Sequence, residues 1–120
     1  MSSQLDAINA QINQMSRQKA AEWESYRRQL LSSGRDDIVA AVEQLADVGV
    51  RAGSYAEGTS AYTRAREIGE ELNRVGGFRM MQEVHKLFVL ALFAKTDYEN
   101  AASLSRRLEL AWHGIGSWLG

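Results

Sequence analysis

Apolar residues recur every three or four positions along nearly the whole chain, and nowhere do they alternate for long enough to make a strand. Leu5, Ile8, Ile12 and Met15 step by 3, 4, 3; Ile38, Val42 and Leu45 by 4, 3; Tyr62, Ala65, Ile68, Leu72 and Val75 by 3, 3, 4, 3. Ala101, Leu104, Leu108, Ala111, Ile115 and Trp118 step by 3, 4, 3, 4, 3. A period near 3.6 places such residues on one face of a helix. The expected fold is all-α: a compact bundle of four to five helices, with a long N-terminal helix and antiparallel helical hairpins in the C-terminal half.

The chain has 120 residues and no proline. That length suits a single all-α domain over residues 1–120, with a three-helix core at 60–118. Glycine does the punctuating. Gly34 closes a first helix over residues 3–33, and Gly76-Gly77 separates a third helix from a fourth. The second helix is expected to start on an Asp36 cap and to fail near Gly49–Gly53, within a Gly/Ser/Thr-rich loop over residues 49–60. Thr96-Asp97-Tyr98-Glu99 reads as a capping box with Thr96 as N-cap, opening a fifth helix that runs toward Trp118. Gly114 and Gly116 threaten its last turn, at about 1 kcal/mol each in a helix interior.

Composition excludes more than it selects. With 14 Lys+Arg against 15 Asp+Glu and no Cys, the chain has no global charge to attract nucleic acid or an anionic membrane, and no thiolate chemistry. The densest apolar run, residues 87–94, is too short to cross a bilayer, which takes about 20 residues. The N-terminus lacks the basic and apolar regions of a secretory signal. A cytoplasmic location, no membrane span and no cofactor are the expectations.

Residues 94–111, AKTDYENAASLSRRLELA, resemble the turn and second helix of a tetratricopeptide repeat, with Tyr98 and Ala101 at that family's aromatic and small packing positions. The resemblance covers about 25 residues and implies protein or peptide binding. The internal echo in this region has a period of 20 residues, far from that family's 34. Short-turned antiparallel helices converge on such sequences without common descent.

Two His are present, His85 and His113. Neither has a Glu three residues before it, so a di-metal bundle is not expected. Arg79-x5-His85 and Arg107-x5-His113 match the loose Arg/His spacing of HEPN-type all-α ribonucleases, in which both residues line one helix face and act on RNA phosphate. The polar residue that usually follows the Arg there is replaced by Met80 and Leu108. Eleven Arg also make such spacings common by chance. Glu67 and Glu71 read as surface carboxylates balanced by Arg64, Arg66 and Arg74.

The features least suited to routine packing are apolar. The Leu5/Ile8/Ile12/Met15 seam lies on a helix of about 30 residues, longer than its expected neighbours. It is either shorter than this or bends back onto the bundle, or it protrudes as an arm that pairs with a partner or a second copy. After Met15 the stripe passes through Lys19 to Trp23 in steps of 4, a stutter that unwinds any supercoil. In the tail, Trp112 and Trp118 either pack across the bundle end or form a docking anchor. The expected function is non-catalytic binding of another macromolecule, as an adaptor, assembly factor or inhibitor/immunity-type partner that self-associates, with an HEPN-like ribonuclease as the alternative.

Overall fold

A computed structural model describes residues 2–119. Among these the chain forms four α-helices and no strand: α1 (Ser2–Ser32), α2 (Asp36–Ala52), α3 (Ser60–Lys95) and α4 (Tyr98–Ala111). α3 is the hub, packing against each of the other three. It is bent at Gly77, whose φ of 69° and ψ of −162° interrupt the helix. The bend separates helical stretches at 60–76 and 78–95, the break anticipated from the Gly76-Gly77 pair. Only glycine occupies that backbone region without strain.

The core is made by the apolar stripes. Val42 and Leu45 of α2, Met81, Val84, Phe88 and Leu92 of α3, and Leu104 and Leu108 of α4 are buried. α1 contributes Trp23, the one buried residue among those described in this helix. Each large side chain withdrawn from water contributes about 1.5–3 kcal/mol toward folding.

Three local expectations are corrected, and the expected end of α2 near Gly49–Gly53 is narrowed to Gly53. Asp36 is the first residue of α2 rather than its cap; Arg35 occupies the cap position and makes no capping hydrogen bond. Arg35 instead pairs with Asp37, Nε to Oδ1 at 3.2 Å, and Asp36 and Asp37 both favour the positive helix end. Gly49 does not end α2. It lies inside the helix, buried, and its bare backbone leaves room for the Tyr55 ring. Tyr55 Oη donates to the Leu45 carbonyl at 2.6 Å, pinning the following loop to α2. Gly53, at φ 78°, closes α2 instead.

The cap of α4 is Asp97, not Thr96. The Thr96 N–H still bonds the Leu92 carbonyl and closes α3, so the next helix starts one residue later. The Asp97 carboxylate accepts the Asn100 N–H at 2.9 Å. Finally, α4 stops at Ala111 rather than continuing to Trp118. Residues 112–118 form successive turns, with Gly114 and Gly116 both at positive φ. Arg66 on α3 accounts for where α4 ends. Its guanidinium donates to the carbonyls of Ala111 and His113 at 2.8 and 2.9 Å, satisfying acceptors that a helix end leaves open.

Replacing Gly77 by Ala forces a Cβ into the strained region and is expected to cost about 1–3 kcal/mol. The measurement is a urea midpoint; an unchanged midpoint contradicts the assigned bend.

Candidate functional site

Two regions hold the residues singled out from sequence: the N-terminal end of α1 and the cluster around the C-terminal tail. They are built on opposite principles.

The N-terminal end of α1 is an arm. α1 runs antiparallel to the second half of α3: Lys19 Nζ lies 5.9 Å from the centroid of the Phe93 ring, while Tyr26 and Leu30 border a groove whose other wall is Glu83–Leu90. Because α3 ends at Lys95, α1 outruns it on the N-terminal side. Leu5 is 63% exposed and Ile8 51%; Ile12 and Met15, nearer the body, are half-buried. Thirty-one residues of helix extend ~46 Å at 1.5 Å per residue, against a longest molecular dimension of 51 Å. Residues 3–11 of α1 are exposed throughout. Leu5 and Trp23 are 18 residues apart, five full turns, so they share one face. The arm's seam is therefore the continuation of the face on which the body packs.

The tail is the reverse case, with its aromatic residues turned inward. The Trp112 indole lies against Gly69 of α3 and its Nε1–H donates to the Ala65 carbonyl at 2.8 Å. Trp118 packs edge-on to Trp112, with ring centroids 5.1 Å apart, and donates from Nε1 to the Glu109 carbonyl at 2.9 Å. Both are buried. Of the two roles weighed for them, end packing is the one they occupy here, and neither presents a free docking surface. Gly69 went unnoticed in the sequence, although a glycine inside an otherwise regular helical stripe is a usable sign of close approach.

His85 belongs to the same cluster. Its ring lies 5.6 Å from Trp118, 6.2 Å from Trp112 and 5.7 Å from Phe88, centroid to centroid. Nε2–H donates to the Ser105 carbonyl at 3.0 Å, the tautomer that a carbonyl acceptor requires. Burial holds the imidazole below its ordinary pKa, opposed by the Ser105 bond and by the nearby charge of Glu109. Arg79 lines the same open hollow as His85, together with Lys86 and Glu109. The second pair is not assembled in this way. Arg107 Nε donates along its own helix to Ser103 Oγ, and the exposed His113 bonds the Leu119 carbonyl through Nδ1. Among the described residues no group of three or more His, Asp or Glu gathers as a metal site, and no helix is long and apolar enough to cross a membrane.

No family model, curated protein or solved structure matches the chain, the partial likeness of residues 94–111 to a tetratricopeptide repeat included.

Two outcomes test the tail cluster. Gly69→Ala would place a Cβ 2.5 Å from Trp112 Nε1, and the over-packing is expected to cost about 1–3 kcal/mol by urea unfolding. For His85, a folded-state pKa below the unfolded value means that the unfolded chain binds the proton more readily. The contribution is fully present above the unfolded pKa of about 6.5 and is lost as pH falls through the lower folded value. Thermal midpoints between pH 7 and pH 5 are expected to fall for the parent and to fall less for His85→Gln. Parallel slopes for the two proteins would remove His85 as the cause.

Proposed function

We propose that this is a non-catalytic binding protein, cytoplasmic and self-associating, whose working surface is the N-terminal arm of α1. The observation that carries the reading is the contrast between the two regions. Large aromatic residues that would make good anchors are packed away. Leu5 and Ile8 are held in water on a helix that the body does not cover. An apolar stripe kept exposed is an aggregation hazard unless something covers it. His85 supports the same reading from the other side: a buried imidazole tied to a backbone carbonyl is placed to pack, not to exchange protons with a substrate.

The expected roles are those of an adaptor, assembly factor or inhibitor-type partner, with no cofactor required. A ribonuclease of the HEPN type is the second reading, favoured by one observation, the shared hollow of Arg79 and His85.

Deleting residues 2–18 is the direct test. The deletion leaves Trp23, the buried residue of α1, and the groove residues Tyr26 and Leu30 in place, so the circular-dichroism melt of the body should move little. Association, measured by light scattering across protein concentration, should be lost. The double variant Leu5→Asp/Ile12→Asp should behave in the same way. Oligomers that survive both changes would remove the arm as the working surface. RNA cleavage by the full chain that disappears in Arg79→Ala, an exposed position, would replace this reading by the second one.

A further inference from the structure

We propose that the arm's partner is the arm of a second copy, paired antiparallel about Ala10, with Leu5 of each chain opposite Met15 of the other and Ile8 opposite Ile12. The proposal rests on the arm being the working surface and adds its occupant, direction and register.

The first argument is symmetry in the spacing. The steps 3, 4, 3 from Leu5 to Met15 read the same in both directions, with Ala10 at the midpoint. Reversing a second copy about that point superimposes apolar residue on apolar residue at all four layers. Taking Leu5 and Ile12 as a positions and Ile8 and Met15 as d positions, every layer pairs an a with a d. The flanking positions are Gln4, Gln11 and Gln18 on one side and Asn9 and Ser16 on the other. These amides and hydroxyls carry no charge, so two identical arms meet without the like-charge contacts that e and g positions commonly use to exclude a partner.

The second argument is steric and fixes the direction. The seam shares its face with Trp23, and lower down that face is occupied by α3 of the same chain. Two copies paired in parallel would each carry residues 19–32 into the space filled by the other's α3. Antiparallel copies diverge: beyond Met15 the first chain enters its own body, while the second chain's arm ends. The arm of the second copy then lies where α3 leaves off at Lys95, on the same face of α1 and running in the same direction as α3. It continues an interface already built within the chain. The stutter at Met15-Lys19-Trp23 marks the changeover: Ile12 and Met15 are already half-buried, and Lys19 lies over the Phe93 ring. The tip of the arriving arm reaches the Phe93–Tyr98 corner, where Tyr98 is 40% exposed.

Two heptads bury less than the roughly 1,200 Å² of a standard stable interface. The dimer is therefore expected to be concentration-dependent and exchangeable, which makes mixing experiments practical.

The sequence contains no Cys, so single cysteines report cleanly. Full-length Leu5→Cys and Met15→Cys chains, distinguished by mass, are oxidised separately and as a mixture. In the antiparallel register the two position-5 sites of a dimer lie about 15 Å apart along the axis, as do the two position-15 sites. A disulfide needs Cα atoms within about 7 Å. Positions 5 and 15 of opposite chains face each other. The mixture should therefore yield the mixed disulfide at least tenfold faster than either protein yields its own homodimer. Rapid homodimer formation by Leu5→Cys alone would show parallel arms and overturn the proposal. A parent chain that stays monomeric in light scattering up to millimolar concentration would also overturn it. The arm as a surface for a different macromolecule would survive that second result, because a binding loss on deleting residues 2–18 reports on it separately.

Discussion

The Trp112 indole seated on the bare backbone of Gly69 is the contact on which the C-terminal half depends. A helix interior normally holds a neighbour at the distance of its own side chains. Glycine at position 69 lets the indole approach the α3 backbone and reach the Ala65 carbonyl. With Trp112 fixed there, the tail has to turn immediately after α4. Arg66, one residue from Ala65, covers the carbonyls left open at that turn. Trp118 is then brought edge-on to Trp112, and His85 packs against both with its Nε2–H on the Ser105 carbonyl. Gly69, Trp112, Arg66, Trp118 and His85 thus form one arrangement, even though 52 positions separate its ends in the sequence.

That arrangement bears on what the chain is built to do. The residue types richest in chemistry or in binding energy, two of the three Trp and one of the two His, are committed to holding the tail on the bundle. Their N–H groups are satisfied by backbone carbonyls, an arrangement that rigidifies a core. The arm of α1 contains no aromatic residue and no buried polar group. It offers an apolar stripe flanked by amides and hydroxyls.

Periodicity made the helices legible because a 3.6-residue stripe records which face is buried, and that is a local property. The break at Gly76-Gly77 was legible for the same reason. The caps were less so. Thr96 and Asp97 are both competent N-caps, and the choice between them was decided by how far α3 propagated before its last N–H found Leu92. Gly49 looked like a terminator, yet its role is a steric one set by Tyr55 across a loop. Arg66 looked like a surface counter-charge to Glu67 and Glu71, yet it reaches residues 45 and 47 positions away. Such long-range roles leave no trace in a spacing pattern. The candidate site divides along the same line. The seam was visible as a stripe, but whether it was covered depended on where α3 stopped, and the burial of Trp112 and Trp118 depended on Gly69.

An arm that no neighbour supports has consequences for its own secondary structure. Within the body, tertiary packing holds α1 helical whatever its composition. Beyond the reach of α3, each residue stays helical only because the turn before it does, and such ends fray in water. Asn13 is a weaker helix former than Ala, and it lies off the seam, where a partner does not reward it. The free arm is thus a helix poised near its own melting, and covering its stripe completes a folding transition that the body has already nucleated. Side chains that touch nothing then tune how tightly the stripe is grasped, because they set how much of that transition remains to be driven.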